Sequence, residues 1–82
     1  MDKDLYLELD IQKYETFLRE RITELRIQKN LSEHALSLRL GKSGSYIRSI
    51  TSKKALPSLK ELFNIIIFFE MTPSEFFKGL EK

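Results

Sequence analysis

Apolar residues recur at helical spacing through residues 11–28, which predicts an amphipathic helix. The positions on its apolar face are Ile11, Tyr14, Phe17, Leu18, Ile22 and Leu25. Asp10 precedes this face as a suitable N-cap, and Asn30 lies in the expected exit turn. We therefore predict that a first helix begins after Asp10 and ends near residue 28.

The following stretch predicts two short helices joined by a glycine turn. Ser32 is an N-cap candidate for the second helix, and Gly41 ends that helix because a sharp turn needs a residue with positive φ. Ser43 is the N-cap candidate for the third helix, and Ser37 supplies a small side chain where the two helices cross. The residues expected between the two helices are Leu36, Leu40, Ile47 and Ile50.

Two capping boxes predict the remaining helices. Residues 58–61 (SLKE) and 72–75 (TPSE) both have the S/T-x-x-E pattern, and Pro73 occupies a first helical position, where its missing N–H costs nothing. The fourth helix is predicted to run through Phe69, and the fifth to close near Gly79. The apolar face of the fourth helix is read as Leu59, Leu62, Phe63 and Ile66. The aromatic residues expected in the core, or alternatively on a dimer surface, are Phe63, Phe68, Phe69, Phe76 and Phe77.

Residues 1–9 are assigned separately from the domain predicted over residues 10–82. Leu5, Leu7 and Leu9 alternate with Tyr6 and Glu8, which is the period of a strand. The two interpretations left open are a frayed arm and a strand that pairs with a partner chain.

Composition limits the class of protein. The chain has 82 residues, a net charge of +2 and no cysteine, so we expect one small domain without disulfides or thiolate chemistry, in a cytoplasmic compartment. The amino terminus carries acids, unlike a secretory signal, and no apolar run is long enough to span a membrane. His34 is the single histidine, which argues against a metal site. Phosphate-loop and catalytic motifs are also missing, so the sequence predicts neither an enzyme nor a cofactor nor a small-molecule ligand.

Positive charge is concentrated in the middle of the chain. Residues 31–60 contain six Lys or Arg and one acidic residue, Glu33, whereas both flanking segments are slightly acidic. The outer face of the third helix is small or polar and has no acid, so it fits a major groove without steric or charge conflict. A solvated surface is the alternative explanation of the charge alone.

Five segments in this order resemble the lambda-repressor-like (Cro/cI, or XRE) helix-turn-helix domains of bacteria and their phages. The segments are 25–32 (LRIQKNLS), 36–41 (LSLRLG), 43–47 (SGSYI), 57–62 (PSLKEL) and 72–77 (TPSEFF). The resemblance implies an all-α, five-helix domain that binds double-stranded DNA selectively. It also implies a small transcriptional regulator of the repressor, antitoxin or phage-control type.

Site residues follow from the predicted recognition helix over residues 44–51. The candidates for reading bases are Gly44, Ser45, Arg48 and Ser49, and those for contacting the DNA backbone are Lys42, Ser43, Tyr46, Ser52, Lys53 and Lys54. Arg48 either pairs with guanine or contacts a phosphate, and the ring of Tyr46 alternatively packs beside Ile50. Glu33 stands where the family often has a Gln that holds a DNA phosphate.

A single domain offers one helix to each half of a site, so we expect a homodimer, formed through residues 1–9 or the last helix. The alternative function is a protein–protein interaction module that keeps the fold and binds DNA weakly or not at all. Glu33 and Gly44, which depart from the family pattern, motivate this alternative.

Overall fold

The computed structural model describes residues 3–80, and the side chains of residues 7–80. Its elements are five helices: α1 (Lys3–Gln28), α2 (Glu33–Arg39), α3 (Tyr46–Thr51), α4 (Leu59–Phe68) and α5 (Pro73–Phe76). The all-α, five-helix prediction is therefore confirmed for this part of the chain.

The first helix is longer than predicted. It begins at Lys3, so the prediction that a helix starts after an Asp10 cap is wrong, and so is the strand interpretation of residues 3–9. Lys, Leu, Glu and Asp in this segment are compatible with a helix, and no Gly or Pro interrupts it. The alternation of leucines therefore does not indicate a strand here. Residues 1–2 lie outside the described residues.

The amino-terminal half of α1 extends beyond the core. Leu9, Ile11 and Tyr14 are each about half exposed, whereas Leu18 and Ile22 are buried. The predicted apolar face is therefore buried only in its carboxyl-terminal part. The molecule is elongated as a result, with extents of 44, 25 and 21 Å.

The core lies where α1, α2, α3, α4 and α5 meet. Its residues are Leu18, Ile22, Leu25, Leu36, Leu40, Ile47, Ile50, Ile65, Ile66, Phe69 and Phe76. The four residues predicted to lie between α2 and α3 all belong to it. Burial of such side chains is worth about 1.5–3 kcal/mol each, and it supplies the main stabilisation of so small a domain.

Helix α4 is rotated relative to the prediction. Its buried residues include Ile65 and Ile66, whereas Leu59 is 67% and Phe63 46% exposed. The inward face of α4 is formed by Ile65, Ile66 and Phe69, and Phe63 lies outside it. The core assignment of Phe63 is therefore wrong. Phe69 and Phe76 are buried as predicted, and Phe68 and Phe77 pack partly against the core.

Most local start and stop signals are confirmed. The Ser32 hydroxyl accepts from the Ala35 N–H, and both capping boxes, at 58–61 and 72–75, are formed in full. Asn30 and Gly41 adopt positive φ values of 56° and 76°, so each turns the chain after a helix. The prediction of Ser43 as a cap is wrong, since the N-cap of α3 is Ser45.

Arginines on α1 bind backbone carbonyls at the ends of other elements. Arg19 Nε donates to the Ile50 carbonyl at 2.8 Å, near the end of α3. Arg21 Nε donates to the Phe76 carbonyl at 2.9 Å, at the end of α5, and Arg26 donates to the Leu31 carbonyl at 2.8 Å. Leu31 lies between α1 and α2, and the Ile50 carbonyl also accepts from the Lys53 N–H at 3.1 Å, so the charged donors add long-range bonds to these carbonyls. They fix α3 and α5 against α1.

Candidate nucleic-acid interface

Helices α2 and α3 form a two-helix unit around the turn at Gly41. Leu36 on α2 and Ile47 and Ile50 on α3 are fully buried, so the unit is held by one shared apolar contact. Burying these residues directs the opposite face of α3 to the surface. The sequence pattern predicted this arrangement.

Ser37 supplies the N-terminal cap that α3 lacks within its own segment. The Ser45 side chain makes no capping hydrogen bond. Instead, the buried Ser37 hydroxyl on α2 accepts from the Ile47 N–H at 2.9 Å and donates to the Glu33 carbonyl at 2.7 Å. The sequence indicated a small residue at this position, but not a hydrogen bond across ten residues.

The base-reading candidates differ in exposure. The Arg48 side chain is 73% exposed and Ser45 is exposed, whereas Gly44 and Ser49 are partly buried. The Ser49 hydroxyl donates to the Tyr46 carbonyl at 2.6 Å, which leaves its oxygen as an acceptor only. Arg48 and Ser45 are therefore the most accessible of the four.

Gly44 lies against the ring of His34. A Cβ on Gly44 would overlap two atoms of the His34 ring, so the ring can occupy this position only because residue 44 has no side chain. His34 is exposed. The structure places it beside the turn that leads into α3.

The backbone-contact candidates form two groups. Ser43, Ser52, Lys53 and Lys54 are exposed around the two ends of α3. Lys53 has a positive φ of 69°, and the N–H of Lys54 bonds the Ser49 carbonyl, so the chain turns sharply after α3. Lys42 and Tyr46 are partly buried and form the second group.

Lys42 and Tyr46 both contact Glu61 on α4. Lys42 Nζ lies 2.8 Å from Glu61 Oε2, and the Tyr46 hydroxyl donates to Oε1 at 3.1 Å. The hydrogen bond from Lys42, followed by the one from the Ser58 backbone, lowers the Glu61 pKa from 4.5 to about 2. Burial, the hydrogen bond to Glu61 and the charge of that carboxylate raise the Tyr46 pKa well above its ordinary value. The Tyr46 hydroxyl therefore stays protonated and serves as a donor.

Glu33 also has a partner that the sequence did not reveal. Its Oε1 lies 3.3 Å from Arg48 Nε, and its Oε2 accepts from the Thr51 hydroxyl at 2.7 Å. The single acid of the basic segment is thus bound to two residues of α3. A separation of 15 and 18 residues along the chain explains why no local pattern pointed to these contacts.

Other kinds of site find little support in the described part of the chain. Residues 3–80 contain no group of three His, Asp or Glu side chains that could hold a metal ion. None of the helices in this part is long and apolar enough to cross a membrane.

Two short helices that cross at a glycine turn, the second with an acid-free exposed face, define a helix-turn-helix domain. A family model described as helix-turn-helix, of the Cro/cI (XRE) type, matches residues 22–76. The chain belongs to this helix-turn-helix family, whose members are DNA-binding regulatory domains and not typically enzymes. No curated protein and no solved structure matches the chain significantly.

Proposed function

We propose that the domain binds double-stranded DNA in a sequence-selective way and acts as a small transcriptional regulator, of the repressor, antitoxin or phage-control type. Helix α3 enters the major groove, where Arg48 and Ser45 face the base edges. The residues around its ends, including Lys53 and Lys54, contact phosphates. Such a regulator acts in the cytoplasm, where it is bound to the nucleoid.

The observation that supports this proposal most is the two-sided character of α3. Ile47 and Ile50 are fully buried, while Arg48 projects from the opposite side with 73% of its side chain exposed. Every other described side chain on the exposed face is small or hydroxylic, so nothing on α3 repels a phosphate or fills the groove. Arginine is the residue that most often reads guanine through O6 and N7.

We also propose a homodimer. One copy presents a single α3, and a tight specific site needs two such helices about one DNA turn apart. Exposed apolar side chains are available for this contact on the extended part of α1. They are Leu7, Leu9, Ile11 and Tyr14.

Selection of bound fragments from random duplex DNA tests the proposal. Enrichment of one motif is expected, and a palindromic motif is expected if the binding unit is a symmetric dimer. The control is Arg48→Ala, which we expect to lose the enrichment while it keeps the fold. Absence of any enrichment at low salt would contradict sequence-selective binding.

An interaction module is the second candidate function, and one observation favours it. Leu59, Phe63 and Ile67 lie four residues apart on α4 and are 67%, 46% and 71% exposed. They form an apolar row that the core does not use, which is typical of a surface that contacts another protein. Failure to select DNA, together with self-association lost on Ile67→Lys, would support this second function.

A further inference from the structure

Glu33 contacts the inner nitrogen of the Arg48 guanidinium. The Glu33 side chain is 22% exposed, and its Oε1 lies 3.3 Å from Arg48 Nε. The other oxygen, Oε2, accepts from Thr51 Oγ1 at 2.7 Å. Because Thr51 follows Arg48 by one helical turn, a single carboxylate on α2 spans two residues of α3. The carboxylate is therefore fixed by one contact while it holds the arginine by the other.

The outer nitrogens of Arg48 remain available. Neither Nη1 nor Nη2 bonds to any residue that the structure describes, and the side chain is 73% exposed. A guanidinium carries its donors in one rigid plane, so a contact at Nε sets the direction of the Nη pair. Guanine offers O6 and N7 as two adjacent acceptors in the major groove, which match two donors of an arginine.

We infer that Glu33 is a positioning residue that sets the selectivity of Arg48 for guanine. This inference rests on the proposed function, since it assumes that α3 enters the major groove. Holding Nε reduces the rotamer freedom that Arg48 would lose on pairing with a base. The same carboxylate lies beside the guanidinium and repels phosphates, which disfavours its use on random DNA. Glu33 therefore increases discrimination rather than general affinity.

Glu33→Ala tests this inference through binding to a selected duplex and to a scrambled duplex of equal length. The ratio of the two affinities is expected to fall about 2- to 12-fold, the equivalent of ordering one long side chain. Affinity for the scrambled duplex is expected to stay constant or to rise, because a negative charge is removed. Glu33→Gln keeps a hydrogen-bond acceptor for Arg48, and it is expected to retain part of the discrimination.

Two matched controls separate positioning from structure. Thr51→Val removes the hydroxyl that fixes the Glu33 carboxylate and that also lies 3.4 Å from the Arg48 carbonyl. Because Glu33 itself remains beside Arg48, this variant is expected to lower the melting temperature and to reduce the affinity ratio less than Glu33→Ala does. In an Arg48→Ala background, Glu33→Ala is expected to leave the ratio unchanged, because no arginine remains to be positioned.

Three results would overturn the inference. The first is an equal loss of affinity for the selected and the scrambled duplex in Glu33→Ala. The second is an affinity ratio that Glu33→Ala changes as much in the Arg48→Ala background as in the wild type. The third is an affinity ratio that increases in Glu33→Ala. A wild-type protein that selects no duplex refutes the proposed function and this inference with it. A selective wild type whose ratio survives Glu33→Ala refutes the positioning role alone.

Discussion

Ser37 is a residue whose hydroxyl group joins two helices. It accepts from the Ile47 N–H and donates to the Glu33 carbonyl, and the side chain is fully buried. Ser37→Ala would leave the Ile47 N–H without a partner inside the core. We expect it to lower the free energy of unfolding by about 1–3 kcal/mol in urea denaturation. Ser52→Ala, on an exposed side chain without a capping bond, is the control and should be nearly neutral; equal stability of both variants would contradict the role of Ser37.

Arg48 and Lys54 are both exposed, but they occupy different places. Arg48 projects from the middle of α3, whereas Lys54 follows its end. Arg48→Ala is expected to cost about 1–3 kcal/mol on the selected duplex and much less on scrambled DNA. Lys54→Ala is expected to weaken both alike and to reduce the log–log salt slope by about one unit.

Binding titrations of both variants at several salt concentrations check this expectation. Circular dichroism provides the control for folding, since neither side chain belongs to the core. If Arg48→Ala lowers both affinities equally, Arg48 contacts phosphate only, and selectivity has to come from the serines or from DNA shape.

At the residue scale, the sequence predicted local contacts and missed distant ones. The Ser58–Glu61 and Thr72–Glu75 capping boxes were predictable because each joins residues three apart in one chain segment. The contact of Arg48 with Glu33 joins α3 to α2, and that of Lys42 with Glu61 joins the turn after α2 to α4. No spacing rule encodes them, since they depend on the angle at which those helices pack.

At the element scale, Gly41 ends α2 with a φ of 76°. A Cβ at this position would have nothing within 4 Å, so any cost of a substitution comes from the backbone and not from a clash. Gly41→Val is expected to lower the free energy of unfolding by about 1–3 kcal/mol, because a β-branched residue is strained at positive φ. Gly41→Asn, which tolerates this region, should cost much less; an unchanged melting temperature in Gly41→Val would show that the turn is not strained.

The start of α4 is sensitive to acid. Because the Glu61 pKa is lowered from 4.5 to about 2, its contribution to stability is fully present above pH 4.5 and is lost as the pH falls towards 2. Glu61→Gln keeps the capping box but lacks this titration. We expect the stability difference between the wild type and Glu61→Gln to shrink over that pH range.

Denaturation of both proteins at a series of pH values measures this difference. Glu75, whose pKa is also lowered by its capping contacts, titrates in both proteins, so its effect cancels. A difference that stays constant down to the lowest pH would contradict the assigned role of the Lys42–Glu61 pair.

Which elements form was predictable, but their limits were less so. Apolar spacing and caps identified α2, α4 and α5, because each of these helices begins at a clear N-cap residue. The start of α1 was missed, since Asp10 is a good cap that the continuing helix passes over. The exposure of Phe63 was missed as well, because a sequence with apolar residues on both sides of α4 does not determine which side faces inward.

At the scale of the whole molecule, the extended part of α1 is the first candidate for the dimer contact. Removal of residues 1–9 is expected to weaken self-association, measured by sedimentation, because it deletes the exposed Leu7 and Leu9. The described core begins at Leu18, so the fold is expected to persist. Ile67→Lys on α4 is the comparison variant: equal association after the truncation, with loss in Ile67→Lys, would place the contact on α4.

The arginines of α1 have a consequence for how the domain opens. Helices α3 and α5 contain six and four residues, far fewer than the roughly 12–15 that an isolated helix needs. They persist because α1 supplies both an apolar surface and the side-chain donors of Arg19 and Arg21, which bond to carbonyls near the ends of α3 and α5. Local fraying of the recognition helix would therefore release contacts across the whole core. Hydrogen exchange at the Ile50 amide should therefore require unfolding of the whole domain. The surface that α3 offers to DNA then exists only when the entire domain is folded.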